Sequence, residues 1–459
     1  MSSEPLGVGA ASGADPSRRS RSRPPLAAWP LAWLFAGVPL WWVTGLIDVI
    51  VVPIAVVMLY YLRRTGGVRV PRGFAVWLLF LAFMLGSVIQ LTQVLPYLTF
   101  GYRAGIYLAS TVVFLYAYNS RPWISDRRLL GYLACYFAFM VAGGFLGALA
   151  PVGRLRTPMY YVLSSQAPSL VTNELVQAMV VRPFAQYSPT NYFQVPPRPA
   201  APFLYTNNWG NAYSLLLPLM VVLLFQTPRR TWQRKVLTIL IPVSAIPATL
   251  TLNRGMFIGL AIVAVCVGFR LALHGYLARV LLITGVVAVV GVVLWNVFNV
   301  SAGLETRTEA STNTRASLYS QSLTAASASP LFGYGNTIPS TSSNPYDPQV
   351  GTQGQFWMIL VSHGVVAIAC FVGFFLVVFV TTLRRRDIAG MTYNAVVLAG
   401  AVETLYYGLV PYGLPLLMVA AALALRRPPS PKRGLSRLEP RSAHEVGVGQ
   451  LAGVDRHDE

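Results

Sequence analysis

The sequence contains few charged residues and very few acidic ones. Only 11 % of its 459 residues are charged, and 15 aspartates and glutamates stand against 35 lysines and arginines. A soluble domain of this length would carry about a quarter charged residues, so the composition excludes an ordinary soluble protein. Cysteine is also scarce. Cys135, Cys266 and Cys370 all fall within apolar runs, which excludes a disulfide framework and a cysteine metal cluster.

The chain is instead rich in apolar sequence, with 55 % hydrophobic residues. Long apolar stretches with charge confined to the gaps are typical of an all-α polytopic membrane protein. About twelve transmembrane helices are predicted from the lengths of these stretches. The predicted spans are 26–44, 46–62, 73–90, 102–119, 129–150, 209–226, 236–252, 255–273, 280–298, 355–383, 392–410 and 411–425.

The basic residues predict the orientation of these spans. With both termini in the cytoplasm, all but eight of the 35 basic residues lie in the tails and the cytoplasmic gaps, as the positive-inside rule requires. The exceptions are Arg103, Arg154, Arg156, Arg182, Arg198, Arg254, Arg307 and Arg315. This distribution predicts a multi-pass plasma (inner) membrane protein, and it explains the net charge of +20 without nucleic acid as a partner.

Three regions follow from this topology. Residues 1–25 and 426–459 are predicted to be disordered cytoplasmic tails, and residues 26–425 form the transmembrane domain. Two segments on the exterior side, about 151–208 and 299–354, are longer than ordinary connections, and loops of such length are usually functional or disordered.

The second exterior loop contains a predicted amphipathic helix. Between Thr312 and Ser327 six positions recur at helical spacing: Arg315, Leu318, Tyr319, Ser322, Leu323 and Ala326. Thr312 or Asn313 is the expected N-cap. Pro330 and the two glycines of "SPLFGYGN" then end the helix in a turn. We expect this helix to lie over the membrane face as a cap. A surface lid without chemistry fits the same pattern.

Arg254 stands between two apolar runs in "LTLNRGMFIGLAI". One interpretation is an anchor that reaches the phosphates of surrounding lipids. The other is that Arg254 and Arg315 face a common cavity and hold a lipid diphosphate, because the guanidinium fork matches phosphate oxygens and keeps its charge. For Arg315 a third interpretation is an ion pair with Glu305 or Glu309.

Three stretches resemble one known family. They are "FLYTNNWGNAYSLLLPL", "TLNRGMFIGL" and "NTRASLYSQSLTAASASPLFGYGN", and they occur in that order within residues 200–425. They are similar to segments of the bacterial O-antigen ligase and O-antigen polymerase superfamily of integral-membrane glycosyltransferases. The resemblance implies that Arg198, Arg254 and Arg315 bind the diphosphate, with Asn253 where the family usually has serine.

The resemblance also implies a fold and a reaction. The fold is a GT-C-like helical bundle with two large extracytoplasmic loops. The reaction transfers a glycan from an undecaprenyl-diphosphate-linked donor to a hydroxyl of a glycan or lipid-glycan acceptor. It uses no metal and no cofactor, and membrane lipids are the remaining expected partners. It belongs to the assembly of cell-surface polysaccharide, and these motifs do not separate a polymerase from a ligase.

The sequence departs from the family at one position. The family has a loop histidine eleven residues before a glycine of the next span, and the count back from Gly364 reaches Gln353. A neutral amide can donate and accept hydrogen bonds but cannot take up a proton at a useful pH. His363 is interpreted as a packed intramembrane histidine. Candidate bases are Asp347, Glu403, Glu174, Glu305 and Glu309, of which Asp347 is nearest to Gln353 and Glu403 lies within a span.

Two alternatives to a glycosyltransferase have different sequence signatures. A flippase for lipid-linked glycans should show two similar halves and broken helices near the midplane, and no internal repeat is found here. A catalytically degenerate scaffold of the same fold agrees with glutamine at position 353.

Overall fold

The computed structural model describes residues 25–186, 197–297, 315–341 and 348–426. Apart from their border residues 25 and 426, the two predicted tails lie outside these ranges. The candidate bases Asp347, Glu305 and Glu309 also lie outside them, as do Thr312 and Asn313, the expected N-caps.

The described chain is an all-α protein with a few very short strands. The helices up to the first long connection are α1 (Trp29–Phe35), α2 (Val38–Thr44), α3 (Val51–Arg64), α4 (Phe74–Gly86), α5 (Val94–Asn119) and α6 (Asp126–Leu149). The following ones are α7 (Pro158–Gln166), α8 (Pro168–Val171), α9 (Glu174–Val180), α10 (Thr206–Gln226), α11 (Trp232–Val243), α12 (Ala245–Leu250), α13 (Arg254–Leu271) and α14 (Leu277–Val297). The last are α15 (residues 315–328), α16 (Gln355–Thr382), α17 (Ile388–Glu403) and α18 (Gly413–Leu425).

Five of these helical segments are long and apolar enough to cross a membrane. They are Val94–Asn119, Asp126–Leu149, Thr206–Gln226, Arg254–Tyr276 and Gln355–Thr382. Shorter apolar helices cover Phe74–Gln90, Ile388–Glu403 and Gly413–Leu425. The prediction of an all-α protein with helices of membrane-spanning length and composition is therefore confirmed.

Every one of the twelve apolar runs contains helix, but several are interrupted. The run 26–44 is divided into α1 and α2 at residues 36–37, and α11 is separated from α12 at Ser244, between two prolines. The run 46–62 becomes α3 only at Val51, after a turn that contains Asp48. The run 392–410 ceases to be helical after Glu403. Apolar runs locate these segments, while proline, glycine and buried polar groups decide where each helix ends.

The first long connection is folded rather than a plain loop. In addition to α7, α8 and α9, β1 (Arg154–Arg156) pairs antiparallel with β2 (Val181–Pro183). A second antiparallel pair joins β3 (Ala185–Gln186) to β4 (Arg198–Pro199). These pairs satisfy backbone groups that burial would otherwise leave without partners.

The second long connection contains the expected helix and turn. Residues 315–328 form α15, and a turn through Gly333 and Gly335 follows, with both glycines at positive φ. Leu318 and Ser322 are buried as the helical spacing predicts, whereas Leu323 is 58 % exposed. The helix and the turn are confirmed by the structure.

This turn occupies a break in α16. Gly364 has φ 86° and ψ 177°, so the helix is interrupted there. Two carbonyls before the break accept hydrogen bonds from the turn: Val361 from the Tyr334 N–H at 2.9 Å, and Ser362 from the Gly335 N–H at 2.8 Å. The N–H of Val365 donates to the Pro330 carbonyl at 2.8 Å. The turn therefore satisfies backbone groups that the broken helix cannot pair internally.

We expect Gly364→Ala to lower the melting temperature markedly. The φ/ψ values of Gly364 are accessible essentially to glycine alone and would cost alanine roughly 1–3 kcal/mol. A Cβ at this position would also overlap the Leu331 carbonyl oxygen. Thermal unfolding of the full chain in detergent measures the effect.

Gly373→Ala is the matched control on the same helix. Its Cβ would meet Val76 at an ordinary 3.5 Å, and alanine is the better helix former, so its melting temperature should be unchanged or slightly higher. Equal melting temperatures for the two variants would show that the break at Gly364 does not need glycine.

Candidate functional site

The site is built where α10 and α13 begin and α17 ends. Asn253, the residue before α13, donates through Nδ2 to the Thr206 carbonyl at 3.2 Å. Its Oδ1 accepts a hydrogen bond from the Tyr407 hydroxyl. Thr206 begins α10 and Tyr407 follows α17, so one buried amide connects three parts of the chain. This connection fixes the position at which α13 begins.

Small residues allow this close approach. A Cβ at Gly255 would overlap the Tyr406 ring and the Tyr407 hydroxyl, and a Cβ at Gly210 would overlap Asn253. The turn that precedes Arg254 contains Leu252 at φ 49°, a left-handed conformation that is rare for a bulky residue. Such strain persists where the surrounding structure imposes it, and it is concentrated at functional sites.

Arg254 is the first residue of α13 and its side chain is exposed. The first N–H groups and the dipole of an 18-residue helix also place partial positive charge at this end. Guanidinium and helix terminus therefore reinforce each other, and both favour an anion.

Arg198 reaches the same region from the first long connection. It lies in β4, is 8 % exposed, and donates through Nη2 to Gln186 Oε1 at 3.3 Å. The same oxygen accepts the Thr206 N–H at 3.2 Å, and the Thr206 hydroxyl donates to the Arg198 carbonyl at 3.4 Å. Thr206 therefore links Arg198 to Asn253, the neighbour of Arg254.

Arg315 approaches from the second long connection. It is the first described residue of α15, and its side chain is partly buried. One turn further on, Tyr319 stacks on Trp357 with ring centroids 4.4 Å apart. The Trp357 indole N–H donates to the Leu405 carbonyl at 3.0 Å. These contacts hold α15 against the start of α16 and the end of α17, so Arg315 lies on the Tyr407 side of the site.

Gln353 lies in the turn just before α16 and is partly buried. Two residues further on, the Gln355 N–H donates to the Tyr407 carbonyl at 2.7 Å. The N–H of Phe356 donates to the Thr404 carbonyl at 2.9 Å. The structure thus brings Gln353 close to the Tyr407 segment. Gln355, which no sequence pattern singles out, is fully buried and donates through Nε2 to the Tyr107 hydroxyl at 2.6 Å.

Glu403 lies beneath this site and is fully buried. One carboxylate oxygen accepts a hydrogen bond from Asn211 Nδ2 at 2.6 Å, and the other lies against Gly259 next to Ser214. The carboxylate is therefore enclosed by α10, α13 and α17, where it joins three helices that carry parts of the site.

His363 is packed as the sequence interpretation expected. It is 2 % exposed, and its Nδ1 shares a hydrogen bond of 2.7 Å with the Ser87 hydroxyl. The rings of Phe100 and Tyr107 meet it edge to face. These contacts place His363 in the helix packing on the N-terminal side of the break at Gly364.

A buried ion pair was not singled out in the sequence. Asp48, between α2 and α3, pairs with Arg182 of β2 and also accepts a hydrogen bond from the Tyr412 hydroxyl. Burial would lower the pKa of Arg182, but the Asp48 carboxylate and the Tyr412 hydroxyl outweigh burial and raise that pKa. The sequence signal for this pair is an acid within an apolar run, which Asp48 shares with Glu403.

The described residues contain no group of three or more histidine, cysteine, aspartate or glutamate side chains placed to hold a metal ion. The positive charge of the site is supplied by arginines and by a helix terminus. A scan against family models finds no match for this chain, and searches of curated proteins and of solved structures find none either.

Proposed function

We propose that the protein is a membrane glycosyltransferase of the O-antigen ligase and polymerase type. It transfers or polymerises glycan from an undecaprenyl-diphosphate-linked donor onto an acceptor hydroxyl at the outer face of the plasma membrane. The proposal includes twelve membrane crossings with both termini in the cytoplasm. The observation that carries it is that two helices which begin with an arginine in the described chain, α13 with Arg254 and α15 with Arg315, are both held against the segment that follows α17, the first through Asn253 and Tyr407 and the second through Tyr319, Trp357 and Leu405.

The donor diphosphate is the ligand that this charge arrangement fits. Planar guanidinium groups form paired hydrogen bonds with phosphate oxygens, and the start of α13 adds backbone donors. Arg198 is linked to Asn253 by two hydrogen bonds through Thr206, and it adds a positive charge from the first long connection. An acceptor without phosphate would have no comparable use for this concentration of positive charge.

In the proposed reaction the acceptor hydroxyl oxygen attacks the anomeric carbon of the donor sugar. The bond from this carbon to the diphosphate oxygen breaks, and the diphosphate leaves with the electron pair. Arginines placed on the leaving oxygens stabilise the charge that develops there, which is the main catalytic contribution. Gln353 can hold the acceptor by hydrogen bonds but cannot accept a proton. The hydroxyl proton therefore leaves late in the step and passes to solvent water, with Asp347 as the alternative acceptor.

Reconstitution of the full chain into liposomes with an undecaprenyl-diphosphate oligosaccharide tests this function. Product formation and movement of the donor across the bilayer are measured separately. We expect glycosyl transfer when the donor and acceptor are in the same leaflet. Donor movement without transfer would replace the proposal with a flippase. If the folded protein shows neither activity, the result would favour the catalytically degenerate scaffold.

A further inference from the structure

A second cationic feature lies at the opposite end of the helices. A hollow of about 380 Å³ lies between the start of α6 and the start of α11. It is lined by Ser125, Arg127, Arg128, Gly131, Tyr132 and Gln233. The start of α11 adjoins the end of α10, since Arg234 donates to the Thr227 carbonyl at 2.8 Å. Because α10 begins at the Arg254 site, the hollow is separated from that site by the length of a helix.

The two guanidinium groups of the hollow are oriented by neutral partners. Arg128 donates through Nε to the Tyr132 hydroxyl at 2.8 Å, and Arg127 donates through Nη2 to Gln233 Oε1 at 3.5 Å. Each guanidinium carries five N–H donors, so these bonds use only a small part of its capacity. All six residues of the lining are uncharged or basic. The nearby Asp126 pairs with Arg426 at 2.6 Å, so its charge is already engaged.

The surroundings of the hollow suit an amphiphile. Trp232 begins α11 and is 77 % exposed, and tryptophan is enriched at the level of lipid headgroups. Further along the same helix, Val236 and Ile239 are exposed on the same side as Trp232 at helical spacing. An anionic group in the hollow would therefore have an apolar helix face beside it.

We propose that this hollow binds the phosphodiester headgroup of an anionic phospholipid. Arg127 and Arg128 hold the phosphate oxygens, Ser125 and Gln233 lie at the rim, and the acyl chains follow the exposed face of α11. Basic pockets between membrane helices are a recognised form of anionic lipid site. A soluble phosphate would use the arginines but would leave the apolar face of α11 without a role.

Native mass spectrometry of the full chain tests this site. The protein is released from nanodiscs of phosphatidylcholine with phosphatidylglycerol as a minor component. We expect retained phosphatidylglycerol on the wild type and at least about a tenfold weaker binding for Arg127→Gln/Arg128→Gln. The matched control is Arg229→Gln/Arg230→Gln, which removes the same charge from exposed positions outside the lining.

A third variant tests whether the space of the hollow is needed in addition to the charge of its arginines. A Cβ at Gly131 would meet only Gln233 Nε2, at an ordinary 3.6 Å, so the backbone accepts a side chain there, and Gly131→Leu is chosen to fill the hollow. It should weaken retention of phosphatidylglycerol while both arginines remain, and all variants are first checked for an unchanged melting temperature in phosphatidylcholine. Equal losses for the two double variants, or full retention by Gly131→Leu, would overturn the proposal. Complete displacement by millimolar inorganic phosphate would show a soluble-anion site instead.

Discussion

Arg254→Ala should reduce glycosyl transfer by on the order of 10²–10³-fold, the cost typical of losing one preorganised charge-stabilising group. Arg315→Ala should have an effect of similar size, because α13 and α15 are both held against the segment that follows α17. The decrease should appear in the rate at saturating donor, since the charge on the leaving diphosphate is largest in the transition state. Single-turnover transfer from an undecaprenyl-diphosphate oligosaccharide, with wild type and variants in matched liposomes, measures it.

Two further variants make this result specific. Arg254→Lys keeps the charge but loses the planar fork, so it should recover only part of the activity. Arg230→Ala removes an exposed arginine near the opposite end of α10 and should transfer glycan at the wild-type rate. If Arg254→Ala and Arg315→Ala both retain full transfer, the two arginines do not bind the diphosphate, and the proposed site is incorrect.

The helical class of the fold could be predicted because it depends on local composition. A run of apolar residues in a bilayer must satisfy its own backbone, and helix is the form in which one segment can do so. The interruptions could not be predicted in the same way. The break at Gly364 is stable because the turn at residues 330–335 supplies its missing hydrogen-bond partners, and that pairing depends on tertiary structure.

The candidate site was partly predictable for a similar reason. An arginine at the start of an apolar helix is unusual enough to identify Arg254 from sequence alone. The buried amides that position it are ordinary in sequence, because Asn253 and Gln355 differ from surface amides only in their tertiary partners. Glu403 stands out in the sequence as an acid within an apolar run, but its neighbours Asn211 and Gly259 come from two other helices and could not be predicted.

The Asp48–Arg182 pair connects the first long connection to the helices. Arg182 belongs to β2, and β3 follows two residues after β2 with Gln186, the partner of Arg198. Asp48 lies between helices α2 and α3, and its other partner, Tyr412, immediately precedes α18. The ion pair therefore fixes the strand segment that leads to Arg198, and its loss should affect both stability and the site.

Asp48→Ala should destabilise the protein by about 3–5 kcal/mol, because it leaves the guanidinium of Arg182 buried without a counter-charge. Both side chains are at most 1 % exposed, so water cannot replace the missing partner. Asp48→Ala/Arg182→Met removes both charges and should be less destabilised than Asp48→Ala alone, since no unpaired charge remains. Reversible unfolding in mixed micelles, measured for both single variants and the double variant, gives the coupling energy. Additive effects would mean that the two side chains do not depend on each other, and Arg198 would then need another support.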